Sequence, residues 1–146
     1  MEYGIINLDC IRMLNENQRL AFLCAFVKMA NIDGDFDNRE RQFILDIALD
    51  LGLDAHIIDD LCENLDESKV VKLVSCIDDR IVALELIKIL CLLSHTDGVI
   101  SDSETLFIGD IAQSMNVELD KVEQISEWVL QYMLLKEQAK IVFERI

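Results

Sequence analysis

The sequence predicts an all-α protein: one domain over residues 1–146, a bundle of about seven helices with an internal pseudo-twofold duplication. Three observations predict it. Apolar residues recur at helical spacing along most of the chain, and nothing alternates with period two for long enough to make a strand. Proline is absent and glycine occurs five times, so no Pro-rich or Gly/Ser-rich linker marks a second domain. The chain also repeats itself: a shift of 64 residues lays 20–65 over 84–129 without a gap, with ten of 46 positions identical. The identities include Asp33/Asp97, Gly34/Gly98, Glu40/Glu104, Phe43/Phe107, Ile44/Ile108, Ile47/Ile111 and Ala48/Ala112. Polar identities and apolar phase match together, which is the mark of duplication.

Each copy reads as three helices. The first runs from about Gln18 to Asn31, with Leu20, Leu23, Phe26, Val27 and Ala30 at helical spacing. Its counterpart, from about Asp79 to His95, is apolar almost all round and is expected at the centre of the bundle. The second carries Phe43, Ile44, Ile47, Ala48 and Leu51, mirrored by Phe107, Ile108, Ile111, Ala112 and Met115. A third begins near Asp54 and near Glu118, and 67–77 and 136–145 supply further helical segments. Trp128, Tyr132 and Met133 fall at i, i+4, i+5, a stripe expected in the core.

Composition limits the function. Apolar residues make up 52% of the chain, enough for an aliphatic core, and a net charge of −15 repels phosphate backbones and anionic lipid surfaces. Nucleic acid is therefore excluded as an expected partner. The most apolar run, 81–93, contains Glu85 and Lys88 and is too short to span a bilayer, so no direct membrane insertion is expected. No secretory charge pattern precedes an apolar stretch at the N-terminus. Five cysteines without a Cys-x-x-Cys pair fit a reducing compartment, and Cys24 and Cys91 read as small core residues. These features point to a cytoplasmic protein. A mean hydropathy of +0.27 is high for so acidic a chain and is compatible with a homodimer.

Both copies join their first two helices through the same acidic turn, Asp33-Gly34-Asp35 to Glu40 and Asp97-Gly98-Val99 to Glu104. Two explanations fit. In one, the glycines stop the first helix, and Asp37-x-x-Glu40 and Ser101-x-x-Glu104 are capping boxes opening the second. In the other, Asp33, Glu40, Asp97 and Glu104 converge on one divalent cation, and oxygen-only ligation suits calcium, magnesium or manganese. Asp33 and Asp97 lie near the negative end of a helix dipole, where a carboxylate is disfavoured. At about 100° per residue, Glu40 and Glu104 fall inside the apolar stripe of their own helix, so each needs a donor or a cation. An EF-hand is rejected, because Asn38 stands at its glycine position and Ile44 at its bidentate glutamate position.

No phosphate loop, Rossmann glycine pattern or His-Glu-x-x-His is present. His56 reads as solvated. His95, two residues before Asp97, has no counterpart at Asn31, and with Ser94 and Cys91 it makes no triad on spacing alone. No enzymatic activity is expected.

The Asp-Gly turn after an apolar helix, the Glu opening an Ile-Ala-containing helix, and its end at Leu51-Gly52-Leu53 resemble the TerB-like family, which includes the N-terminal domain of the DjlA co-chaperones. The likeness covers about Leu20 to Val129. It implies an all-helical bundle with internal pseudosymmetry, a cation cluster that maps onto Asp33, Glu40, Asp97 and Glu104, and a non-catalytic adaptor in tellurite or stress resistance with a protein partner, cytoplasmic or membrane-associated. Val99 and Ile100 stand where the first copy has Asp35 and Phe36, and no His-Pro-Asp segment of a J-domain is present. The expectation is a cation-binding interaction module; the alternative is a metal-free helical scaffold or dimerisation domain whose acids cap helices.

Overall fold

The computed structural model describes residues 5–32, 38–54, 56, 60, 64, 66–95 and 100–144, with only the backbone of 39 and 40. Among them are seven helices and no strand: α1 (Leu8–Arg12), α2 (Glu16–Asn31), α3 (Asn38–Asp50), α4 (Glu67–Val74), α5 (Arg80–Ser94), α6 (Asp102–Ser114) and α7 (Leu119–Val142). The protein is an all-α bundle.

Five helix starts, those of α1, α2, α4, α5 and α6, follow side chains that accept from the orphan amides of a first turn, whereas Glu118 ahead of α7 makes no such bond. Asn15 and Gln18 form a reciprocal capping box on α2, Asp66 caps α4, and Asp79 caps α5 through the amides of Ile81 and Val82. Stops are equally specific. Gly52 and Asn116 adopt left-handed φ of 71° and 60°. Beyond each, a 6→1 bond closes the helix end, Leu53 N–H to Ala48 O at 2.9 Å and Val117 N–H to Ala112 O at 2.8 Å. Helix bounds keep the 64-residue shift: α2 begins at 16 and α5 at 80, while α3 covers 38–50 and α6 102–114.

The core gathers the apolar faces that these starts and stops orient. Phe43, Ile44, Ile47, Ala48 and Leu51 are buried, as are Phe107, Ile108, Ile111, Ala112 and Met115. Helix α5 packs on α1, α2, α6 and α7 and is buried along most of its length, as its sequence predicts. Arg19 ties three chain ends together, donating to the carbonyls of Arg12, Leu14 and Leu51 at 2.8–3.0 Å. A guanidinium suits this place because α1 and α3 both present their negative ends there.

Four expectations need correction. Residues 136–145 are not a separate segment, since α7 runs unbroken to Val142. Helix α4 stops at Val74, where the Ser75 hydroxyl donates to Lys72 O, and buried Ile77 follows outside the helix. Trp128 is not in the core: α7 buries only Val129, with Tyr132 and Met133 half-buried beside it. Leu20 is exposed rather than part of the apolar face of α2. The expected third helix near Asp54 falls mostly outside the described residues, although 60 and 64 are helical.

Candidate functional site

The second acidic turn leads into α6, and its closing end is described. Ser101 is the N-cap with extended φ and ψ of −80° and 163°. Its hydroxyl accepts from the amide of Glu104 at 3.1 Å, while the amide of Ser101 donates to Glu104 Oε1 at 3.0 Å. The expected capping box is present. Glu104 is half-buried, consistent with its position on the inner side of α6, and both Asp102 and Glu104 complement the positive end of the helix. Asp33 and Asp97, with Gly34 and Gly98, lie outside the described residues. Glu40 is in α3, and its side chain lies outside them. Among the described residues no three His, Cys, Asp or Glu side chains gather as a metal site requires.

A polar cluster behind this turn joins His95 and Cys91, already noted as neighbours in the sequence, to Ser126, which sequence reasoning missed. His95 caps the C-terminal end of α5 and is buried, with Nε2 3.3 Å from the hydroxyl of Ser126 on α7. Ser126 also bonds the thiol of Cys91, one turn before His95. Burial pushes Cys91 up to about 12, and the Ser126 bond offsets only part of that rise. Such a thiol is protonated at neutral pH and is not the thiolate that nucleophilic chemistry uses. The cluster locks α5 to α7 beside a cavity of about 340 Å³ that Ile100, Ile108, Val122 and Glu127 help to line. Ser126 carried no signal in the sequence, because its partners are contributed by another helix.

The second buried polar group is Glu85, in the middle of α5. Its carboxylate accepts from the backbone amide of Asn7 at 2.9 Å and pairs with Lys88 Nζ at 2.7 Å. Both charges that interrupt the apolar run 81–93 are thus satisfied by each other and by the N-terminal segment. His56 is exposed, as expected. Cys24 and Cys91 are buried and Cys76 is exposed; these and Cys10 are free thiols.

No protein-family model matches this sequence, and no curated protein or solved structure is significantly similar to it. No helix of the described residues is long and apolar enough to cross a membrane.

Proposed function

We propose that this chain is a non-catalytic, TerB-like interaction module built by duplication of a helical hairpin, whose two acidic turns together bind a divalent cation through Asp33, Glu40, Asp97 and Glu104. The observation that carries this reading is the common register of the elements flanking the turns. The starts of α2 and α5, the spans of α3 and α6, and the left-handed stops at Gly52 and Asn116 all differ by 64 residues, as do the four acids. Calcium, magnesium or manganese suits such a donor set. The module then serves a protein partner in tellurite or stress resistance. Free thiols at Cys10, Cys24, Cys76 and Cys91 support a reducing, cytoplasmic setting.

The second reading is a metal-free helical scaffold in which the same acids are caps. It is favoured by the Ser101–Glu104 capping box. Thermal midpoints separate the two. A cation present at about 100 times its Kd adds about 3 kcal/mol, a rise of roughly 5–10 °C for a chain of this size. Glu104→Gln keeps the reach to the Ser101 amide, so the metal-free midpoint should move little while the cation-dependent rise shrinks. A wild-type midpoint that ignores calcium, magnesium and manganese ends the cation reading and leaves the scaffold.

A further inference from the structure

The starts of α5 and α7 lie side by side, because Arg80 pairs with Glu118 at 2.8 Å, and farther along both Cys91 and His95 meet Ser126. The two helices therefore run in the same direction, and between them opens a groove of about 400 Å³. Half-buried Leu84 and Ile125 form its floor, and Ile81 and Trp128, 70% and 50% exposed, form its rims. We propose that this groove binds a medium-chain fatty acid, with the carboxylate on Lys121 and the alkyl chain lying over Leu84 and Ile125 toward Trp128. The inference does not rest on cation binding by the acidic turns.

Local charge selects an anion, even in a chain of net charge −15. Glu85 and Lys88 on the groove wall neutralise each other at 2.7 Å, and Arg80 and Glu118 at its end do the same. That leaves Lys121, which makes no ion pair among the described residues. At about 100° per residue, Lys121, Gln124, Ile125 and Trp128 share an arc of about 100° on α7, and Asp120, Glu123 and Glu127 all fall outside it. Glu123 and Glu127 line the other cavity, beside Cys91, and Asp120 is exposed to water. Both helices also begin at the Lys121 end, where their dipoles favour a negative charge. Acids more than about 8 Å away are largely screened at physiological salt.

Size selects a single alkyl chain rather than a protein. The lining covers 81–88 on α5 and 121–128 on α7, about 10 Å of each helix. Four apolar side chains over that length fall well short of the roughly 800 Å² that one partner contributes to a stable protein interface. A volume of about 400 Å³ belongs instead to the range of small-molecule sites. The stem of Lys88, only 21% exposed, adds apolar surface along one side. At the far end the Trp128 indole is held in place by stacking on Tyr132, with centroids 6.3 Å apart and planes at 15°. Lys121 and Gln124, three residues apart on one face of α7, supply the donors for two carboxylate oxygens.

Trp128 is the only tryptophan of the chain, so its fluorescence reports on the groove directly. Titration of the full chain with decanoate, in about 0.15 M salt, should give a saturable blue shift with a Kd below about 1 mM, and calorimetry should return the same Kd. Octanoate, two methylenes shorter, should bind about 5–15-fold more weakly. Lys121→Met keeps the stem and should weaken decanoate about tenfold, with helicity by circular dichroism unchanged. Lys140→Met, about three turns beyond Trp128, should leave the Kd as it is. The wild type should prefer decanoate to decyltrimethylammonium, and Lys121→Glu should reverse that preference. No saturable shift, a Kd indifferent to Lys121→Met, or a wild-type preference for the cation overturns the proposal. Calorimetric binding that leaves Trp128 emission unmoved puts decanoate elsewhere and overturns it as well.

Discussion

Glu85 is 6% exposed, so its carboxylate is stable there only while the Asn7 amide and the Lys88 ammonium replace water. Lys88→Met keeps the aliphatic stem and deletes the charge, leaving the carboxylate with the Asn7 amide. Removing one partner of a fully buried pair costs about 3–5 kcal/mol. The Lys88 side chain is 21% exposed, so water recovers part of the loss, and about 2–3 kcal/mol is expected. Glu85→Gln retains an acceptor for Asn7 and lets Lys88 turn to solvent, at a cost of about 1 kcal/mol. With both changes an uncharged amide faces an apolar stem, and the total should stay near 1 kcal/mol, a coupling of about 2 kcal/mol. Urea denaturation of the four proteins measures the cycle, and Lys88→Met should lower the thermal midpoint by roughly 4–12 °C. A Lys88→Met cost below about 0.5 kcal/mol, or additivity within about 0.5 kcal/mol, would refute the clamp.

Two further outcomes follow from the helix stops and the thiols. Among the described residues a Cβ at Gly52 meets only Arg19 Nη1, at an ordinary 3.6 Å, so Gly52→Ala should cost about 1–2 kcal/mol through its φ of 71°. Asn116→Gly should be neutral or stabilising by several tenths of a kcal/mol, and equal costs for Ala at both positions are the check on equivalent stops. Burial raises Cys24 from 9.0 to about 11 and Cys91 to about 12. The native state therefore holds protons that the unfolded chain releases, and stability present below pH 9 is lost as pH rises through 11 and 12. Urea midpoints should fall between pH 8 and pH 10, less steeply in Cys24→Ala, and in the native protein exposed Cys76 should react with a thiol reagent much faster than buried Cys24 and Cys91.

What the sequence made legible is local. Helix starts at Glu16, Arg80 and Asp102 follow cap residues one position earlier, and the apolar stripes of α3 and α6 lie within their own turns. Glu85 was legible only as a charge in an apolar run, because its amide partner at Asn7 is 78 residues away. Trp128 looked like core for a related reason: spacing gives the faces of a helix but not where the body beneath it ends. The Ser-x-x-Glu spacing identified the capping box at Glu104. It does not separate cap from ligand, since one carboxylate oxygen serves either purpose at the same place.

Isothermal titration of calcium, magnesium and manganese into the wild-type chain and into Asp33→Asn with Asp97→Asn tests the cation-binding claim most directly. The account predicts saturable binding with a stoichiometry near one for at least one of these ions, lost in the double variant while its helicity persists. No binding heat for any ion, with wild-type thermal midpoints equally unmoved, would contradict it.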